Sequence, residues 1–343
     1  MLKRDLTERE KLVLREVVGQ YILKAVPVGS RTLAKQSNFK LSPATIRNAM
    51  ADLEEMGLLY QPHTSAGRIP SESGYRLFVD NLMAHQELTS REKDLLDGEI
   101  NKIVTSDVKD VLEQTARLLA EISNLLCVVM SPPLREGILH RIDLIGAGGD
   151  KILAVITIQS GFVRSMFLEV QSEIKPEELE YATAFLNQRL SGLKLSDIRD
   201  TLNERLKGSG IERIPLMKSM AARAEDLFSF AEKEDYLFGG VGELAAQPEF
   251  YNVAELRKIL SLLEDKSMFM HLFARQVDGV QVRIGRENAT KSLSTLSIVT
   301  APYKFRQLCG AIGLIGPTRM DYPKAVSIVE YAAKKIDAAV SKE

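Results

Sequence analysis

The stretch SPATIRNAMADLEEMG, residues 42–57, decides how the rest of the chain is read. Ser42 is an N-cap residue whose hydroxyl can accept a free amide N–H. Pro43 follows at the first helical position, where its missing N–H costs nothing. Gly57 suits the left-handed residue that closes a helix. With about 3.6 residues per turn, Ile46, Ala49, Met50 and Leu53 share one face and belong in a core. Ala44, Arg47, Asn48 and Ala51 face the other way. That outer face carries a guanidinium fork, a carboxamide and two small side chains. Arginine matches guanine O6/N7 and asparagine matches adenine N6/N7 in the major groove, and alanine can touch a thymine methyl. Thr45 sits at the edge of this face, placed for a phosphate or a base. Glu54 and Glu55 lie further along and would repel phosphates, so docking falls to the amino-terminal half, where free N–H groups and the helix dipole favour an anion.

The flanks fit a helix-turn-helix. Thr7 and Glu10 have capping-box spacing ahead of Leu14, Val17, Val18, Tyr21 and Ile22. The turn AVPVGS follows. Ser30 then caps a short helix burying Leu33 and Ala34, and residues 38–41 turn into the helix at Pro43. Downstream, Leu58–Gln61 and Arg68–Pro70 read as two short strands around the loop of residues 62–67, which resembles a wing. His63, Thr64, Ser65 and Arg68 offer donors to phosphates or a narrow minor groove, Ala66 and Gly67 permit close approach, and Pro62 and Pro70 stiffen the base. Tyr75, Phe78, Val79 and Leu82 mark a fourth helix. Residues 1–85 hold twelve Lys/Arg against nine Asp/Glu, a net +3 in a chain of net -1, which leaves -4 on the remainder. A basic head on an acidic body fits a nucleic-acid contact confined to one end.

Residues 86–105 are polar and helical without a strong apolar stripe, and read as a connector. From Ser106 an amphipathic helix (Val108, Val111, Leu112, Leu118, Leu119, Ile122) precedes strand-like runs at Leu126–Met130, Leu139–Ile145, Ile152–Ile158 and Val163–Val170, then a helix at Pro176–Leu190. Residues 195–265 read as almost wholly helical. Strand-like runs resume at Met268–Ala274, Val280–Gly285, Ser294–Thr300 and Leu308–Ile315, and a helix over Lys324–Val340 closes the chain. Short turns such as GAGGD between strands imply a largely antiparallel sheet. A helical block between strand-rich blocks implies an insertion into one α+β domain.

Several function classes find no support. No run of about 18 apolar residues exists to cross a membrane. The first residues lack the apolar core of a secretory signal, so a cytoplasmic location is expected. Cys127 and Cys309 sit in apolar surroundings and read as buried, reduced thiols. His63, His85, His140 and His271 have no metal-ligand spacing, so no metal is expected. IGAGGD at residues 145–150 lacks the G-x-G-x-x-G pattern and reads as a hairpin turn. No catalytic set stands out, and neither an enzyme activity nor a cofactor is expected. Tyr236, Phe238, Phe250 and Tyr251 read as core packing or a subunit interface.

Four stretches carry a resemblance: LTEREKLVLREVVGQYI, PVGSRTLAKQ, LSPATIRNAMADLEEMGLL and QPHTSAGRIPSESGYRLFVD. Dense over residues 6–80 and sparser at IGLIGPTRMDYPKA (312–325), they resemble the family of heat-inducible transcription repressors HrcA. The resemblance implies an α+β multidomain protein: a winged helix-turn-helix at 1–87, a helical connector at 88–105, a GAF-like domain at 106–194 and 266–343, and an inserted, mainly helical dimerisation domain at 195–265. It implies a homodimer that binds double-stranded operator DNA, an inverted repeat upstream of chaperone operons, with activity maintained by the GroEL chaperonin and lost on heat stress. Thr45, Arg47 and Asn48 would read bases, with Ser42 and Ala44 beside them at the helix start and Arg31, His63, Ser65 and Arg68 near phosphates. Because GAF-like domains often bind small molecules, a ligand-sensing transcription regulator is the alternative.

Overall fold

The computed structural model describes residues 4–36, 41–64, 66–104, 108–132, 134–170, 175–207, 215–228, 236–252, 279–288 and 293–340, with residues 254, 257, 260, 261, 263, 273 and 290 individually. The chain is a mixed α+β protein. It begins with helix α1 (Glu8–Lys24), where Glu10 N–H donates to Thr7 Oγ1 and the Glu10 carboxylate accepts Thr7 N–H at 2.8 Å, the expected capping box. Arg4 adds a two-pronged ion pair to the same carboxylate, which lies almost fully buried. The Arg4 guanidinium holds the Glu10 carboxyl down from its ordinary 4.5 to about 2. A carboxylate with a depressed folded pKa contributes stability above its unfolded pKa and loses it as pH falls. The contribution of Glu10 is therefore expected in full above pH 4.5 and lost on the way to pH 2. Glu10→Gln should flatten that part of an acid-unfolding curve, and an unchanged curve would detach Glu10 from acid stability.

Helix α2 (Ser30–Gln36) and helix α3 (Pro43–Glu55) follow, then strands β1 (Leu59–Tyr60) and β2 (Ile69–Pro70), paired antiparallel, and helix α4 (Glu72–Leu77), which runs on into a π-helical turn at Phe78–Leu82. The turn before α2 does more than reverse the chain: Val28 and Arg68 exchange both backbone hydrogen bonds at 2.9 Å, adding a third short rung to the hairpin. Gly74 lets α4 pass the Leu58 carbonyl, whose oxygen lies only 2.1 Å from where a Cβ would stand.

Helix α5 (Ser90–Ile100) occupies the expected connector, yet it is no linker. Leu96, Ile100 and Ile103 make an i, i+4, i+7 stripe that is buried in the main core. Lys324 and Lys335 pair with Glu92 and Asp97 to fix its outer side. Charged neighbours hide this narrow stripe in the sequence.

The remaining elements are α6 (Val108–Ser123), β3 (Leu126–Met130), β4 (Leu139–Gly146), β5 (Lys151–Ile158), β6 (Val163–Glu169), α7 (Pro176–Leu190), α8 (Leu195–Leu206), α9 (Pro215–Ala222), α10 (Ala224–Phe228), β7 (Tyr236–Gly239), α11 (Val241–Ala245), β8 (Gln281–Ile284), β9 (Leu296–Phe305), β10 (Leu308–Pro317) and α12 (Tyr322–Val340). Among the described residues the strands form two larger antiparallel sheets, in the orders β7-β3-β10-β9-β8 and β4-β5-β6. The expected run at Met268–Ala274 lies, Phe273 apart, outside the described residues.

This topology divides the chain differently from an insertion at 195–265. Strands β4–β6 do not join β3. They form a separate sheet whose inner face (Ile142, Ile152, Ala154, Ile156, Leu168) packs on Leu186, Leu190, Ile198, Leu202, Met217 and Phe228 of α7–α10. The second packing unit therefore runs from Leu139 to Phe228. The segment after it returns to the main sheet, where β7 pairs with β3 and buries Tyr236, so part of the block expected to be almost wholly helical is strand. The physical cause is visible in burial. Every residue of β3 is buried, as in a strand covered on both faces, whereas β5 alternates buried and partly exposed positions, as in a sheet with one free face. Both read as apolar runs in sequence. The two units meet where Phe162 stacks against Phe305, ring centroids 4.9 Å apart.

The main sheet is filled on both faces. Cys127, Val129, Val299, Tyr303, Ile312 and Leu314 pack with α5, α6 and α12 in a core continuous with that of the head. Leu126, Val128, Ile298, Ala311 and Ile315 pack with Tyr236, Leu244, Phe250, Phe273 and Leu293. Cys127 is buried as expected, and Cys309, opposite Lys304 on β10, is exposed instead.

Candidate nucleic-acid interface

Helix α3 is built as its sequence dictates. Ser42 has extended backbone angles and its Oγ accepts the Thr45 amide at 3.1 Å, while the two hydroxyls bond each other at 2.9 Å. Ile46, Ala49, Met50 and Leu53 are buried against α1 and α2. Pro43, Ala44, Arg47, Asn48 and Ala51 are exposed, and Thr45 is half-buried. The side chains of Arg47 and Asn48 form no hydrogen bond or ion pair among the described residues, so their donors remain available to an incoming partner. Arg31 stands exposed at the start of α2.

The loop after β1 carries a brace the sequence reading missed. Gln61 Nε2 donates to the carbonyls of Thr64 and Ala66, both at 2.9 Å, and the Ala66 amide closes on His63 O at 2.8 Å. His63 and Thr64 point outward and are exposed, and Ser65 lies outside the described residues. Gly67 has a different use from the expected approach to a ligand. A Cβ there would stand 2.4 Å from the Val28 carbonyl, so the residue is needed for the hairpin to reach the Val28–Gly29 backbone.

Arg68 is the residue whose placement differs most from expectation. Its guanidinium is partly buried and pairs with Glu54 on α3 at 2.8 Å. It thereby neutralises one of the two carboxylates expected to repel phosphate, and it ties the hairpin to the helix. Arg68→Ala is expected to weaken duplex binding roughly two- to fivefold by unmasking Glu54, on the scale of one exposed charge interaction, and Glu54→Gln in the same chain should restore it. Failure of that rescue, with a salt slope lowered by about one, would place Arg68 on a phosphate directly.

The resulting surface has an exposed helix start, two base-type donors, two small residues and a braced loop. Its carboxylates are displaced to the far end of the helix or paired. Such a surface can admit a polyanion and present side chains to a groove.

A family model described as HrcA protein C terminal domain matches residues 109–326. The chain is 36% identical over 354 residues to the heat-inducible transcription repressor HrcA of Chlorobium phaeobacteroides, covering 99% of this chain and 100% of that protein. It is 34% identical over 332 residues to the protein of the same name from Halalkalibacterium halodurans, with 96% of each covered. A crystal structure of a hypothetical protein, 26% identical, superposes with a TM-score of 0.70 over 98% of this chain and 99% of that one.

Proposed function

This chain belongs to the HrcA family of heat-inducible transcription repressors, and from that premise we propose that it silences chaperone operons by binding an inverted-repeat operator as a homodimer. The observation that carries the reading is the Arg47–Asn48 pair on the exposed start of α3, whose side chains have no partner among the described residues. In this reading residues 4–82 are a winged helix-turn-helix. Helix α3 enters the major groove amino end first, with Ser42, Ala44, Thr45, Arg47 and Asn48 at the bases and the first phosphates. Arg31, His63, Thr64 and Ser65 flank the backbone, and the five-stranded sheet with its helices is the GAF-like body. A palindromic site asks for two heads related by a two-fold axis.

The partner copy is accommodated by the outer face of β4–β6. Ile145, Leu153 and Phe167 lie in register across the three strands, and Val163 extends the apolar surface. Ile145, Phe167 and Val163 are 51%, 58% and 59% exposed, an apolar face of the kind that marks subunit contacts. In this reading the dimer contact falls on residues 139–169 rather than on 195–265. The resemblance extends the reading to heat: the GroEL chaperonin maintains the repressor, unfolded proteins draw the chaperonin away, and repression lapses. A ligand-sensing role is less well supported, because side chains fill both faces of the main sheet.

A gel-shift titration on an inverted repeat from such an operon, before and after a heat pulse and with or without chaperonin, tests the reading. Sequence-selective binding that heat removes and chaperonin restores is expected. Binding indifferent to sequence would reject operator recognition, and binding unaffected by chaperonin would reject its regulation.

A further inference from the structure

The head is held on the body by two arginines that DNA contact does not require. Arg76 on α4 grips the edge of the main sheet. Its Nε and Nη2 donate to the two oxygens of Glu287 at 2.8 and 2.6 Å, Nη2 also donates to the Val282 carbonyl on β8 at 2.6 Å, and Nη1 reaches Asp80 at 2.9 Å. Glu287 in turn accepts the Ile284 N–H at 2.9 Å. The head thus supplies a partner to the Val282 carbonyl of β8, the edge strand of its sheet among the described residues.

Arg319, in the GPTRMDY segment between β10 and α12, grips the head from the other side. Its Nη1 donates to Ile22 O at 3.1 Å, one of the last carbonyls of α1, which has no partner within the helix. Its Nη2 donates to Gln247 Oε1 at 2.9 Å and Glu249 at 3.1 Å, and its Nε also bonds Glu249. Gln247 is anchored to the Asn124 carbonyl at 2.9 Å. Between the two grips the rings of Tyr75 and Tyr322 meet at 5.8 Å. Arg76 therefore spends a bidentate carboxylate pair and a backbone carbonyl directly across the joint, whereas the body's own Gln247 and Glu249 hold the Arg319 guanidinium so that its Nη1 reaches the Ile22 carbonyl of the head, a geometry that lysine cannot reproduce.

We propose that Arg76 and Arg319 are positioning residues that lock the reading head onto the body, so that the half-site spacing the dimer accepts is set by the body and transmitted through this joint. The proposal rests on the dimeric operator reading above. Each base pair added between half-sites turns one of them by roughly 35° about the duplex. A locked head cannot follow that turn, whereas a head on a loose tether can.

Two measurements test this on the full chain. The first needs no DNA. Spin labels are placed on the exposed Cys309 of the body and on the exposed Lys35 of the head as Lys35→Cys, with labelled chains diluted into unlabelled ones, and the head-to-body distance distribution is recorded. The second is affinity for inverted repeats whose spacing is varied one base pair at a time, beside affinity for a single half-site. The wild type should give one narrow distance peak and favour one spacing at least tenfold over spacings two base pairs away. In Arg76→Ala/Arg319→Ala the peak should broaden and the spacing preference fall below threefold, with single half-site affinity unchanged. Glu249→Gln/Glu287→Gln, both at exposed positions, removes the carboxylate that Arg76 grips across the joint and the one that aims Arg319 at Ile22, and should act in the same direction without risk to the core. A peak that stays narrow in both double variants overturns the lock, and a broadened peak with the wild-type spacing profile overturns its role in spacing. Half-site affinity lost in parallel with all spacings would reduce the pair to general stabilisation, also overturning it. Because the distance measurement is independent of DNA, it decides the joint even if the operator reading fails.

Discussion

Phe167→Glu is expected to leave the chain folded, convert the dimer to a monomer and lower operator affinity by about two to four orders of magnitude. Phe167 is 58% exposed and lies on the sheet face turned away from α7–α10, so its removal opens no cavity in the second core. Exposed substitutions of this kind usually shift stability by only about 0.5 kcal/mol. A carboxylate at this point would be buried in a subunit contact without a partner, opposite Leu153 and in line with Ile145. The loss of affinity would come from effective concentration: one bound head no longer holds a second near its half-site. Sedimentation would report the assembly state, and titration on a full inverted repeat against an isolated half-site would report the binding. The isolated half-site should be bound as before. A variant that remained dimeric with full operator affinity would remove this face from the interface.

Arg47→Ala is the second large effect. A bidentate arginine–guanine contact is worth about 1–3 kcal/mol of discrimination, or roughly five- to 150-fold in affinity. Arg47 is exposed and has no side-chain partner among the described residues, so thermal stability should stay within about 0.5 kcal/mol of wild type. Specificity should relax at one base pair per half-site while binding to scrambled duplex holds. An equal loss on scrambled duplex would instead make Arg47 a phosphate contact. Asn48→Ala should relax a neighbouring position in the same way.

Helix α3 was legible because everything that fixes it is local. The Ser42 cap, Pro43, the period of Ile46, Ala49, Met50 and Leu53, and the polar opposite face all lie within one stretch of chain. The capping box at Thr7 was legible for the same reason. The division of the body was not, because LCVVM in β3 and KILAVITI in β5 are both apolar runs. What separates them is partnership: β3 pairs with β7 and β10 far along the chain, whereas β5 pairs with its sequence neighbours β4 and β6. Nor was the joint legible. Arg76 meets Glu287 at a separation of 211 residues and Arg319 meets Ile22 at 297, so no spacing rule connects them. On the candidate surface the exposure of Arg47 and Asn48 was legible, and the internal uses of Arg68, Gln61 and Gly67 were missed. A polar residue in a loop looks the same in sequence whether it faces a phosphate or a neighbouring carbonyl.

The measurement that bears most directly on base reading by α3 is a competition titration at one fixed salt concentration, pitting an inverted-repeat operator against a scrambled duplex of equal length and composition. Insertion of the amino end of α3 into the major groove should favour the operator by about 10³ or more, with most of that ratio lost in Arg47→Ala/Asn48→Ala. Equal affinity of the wild-type chain for the two duplexes would contradict it.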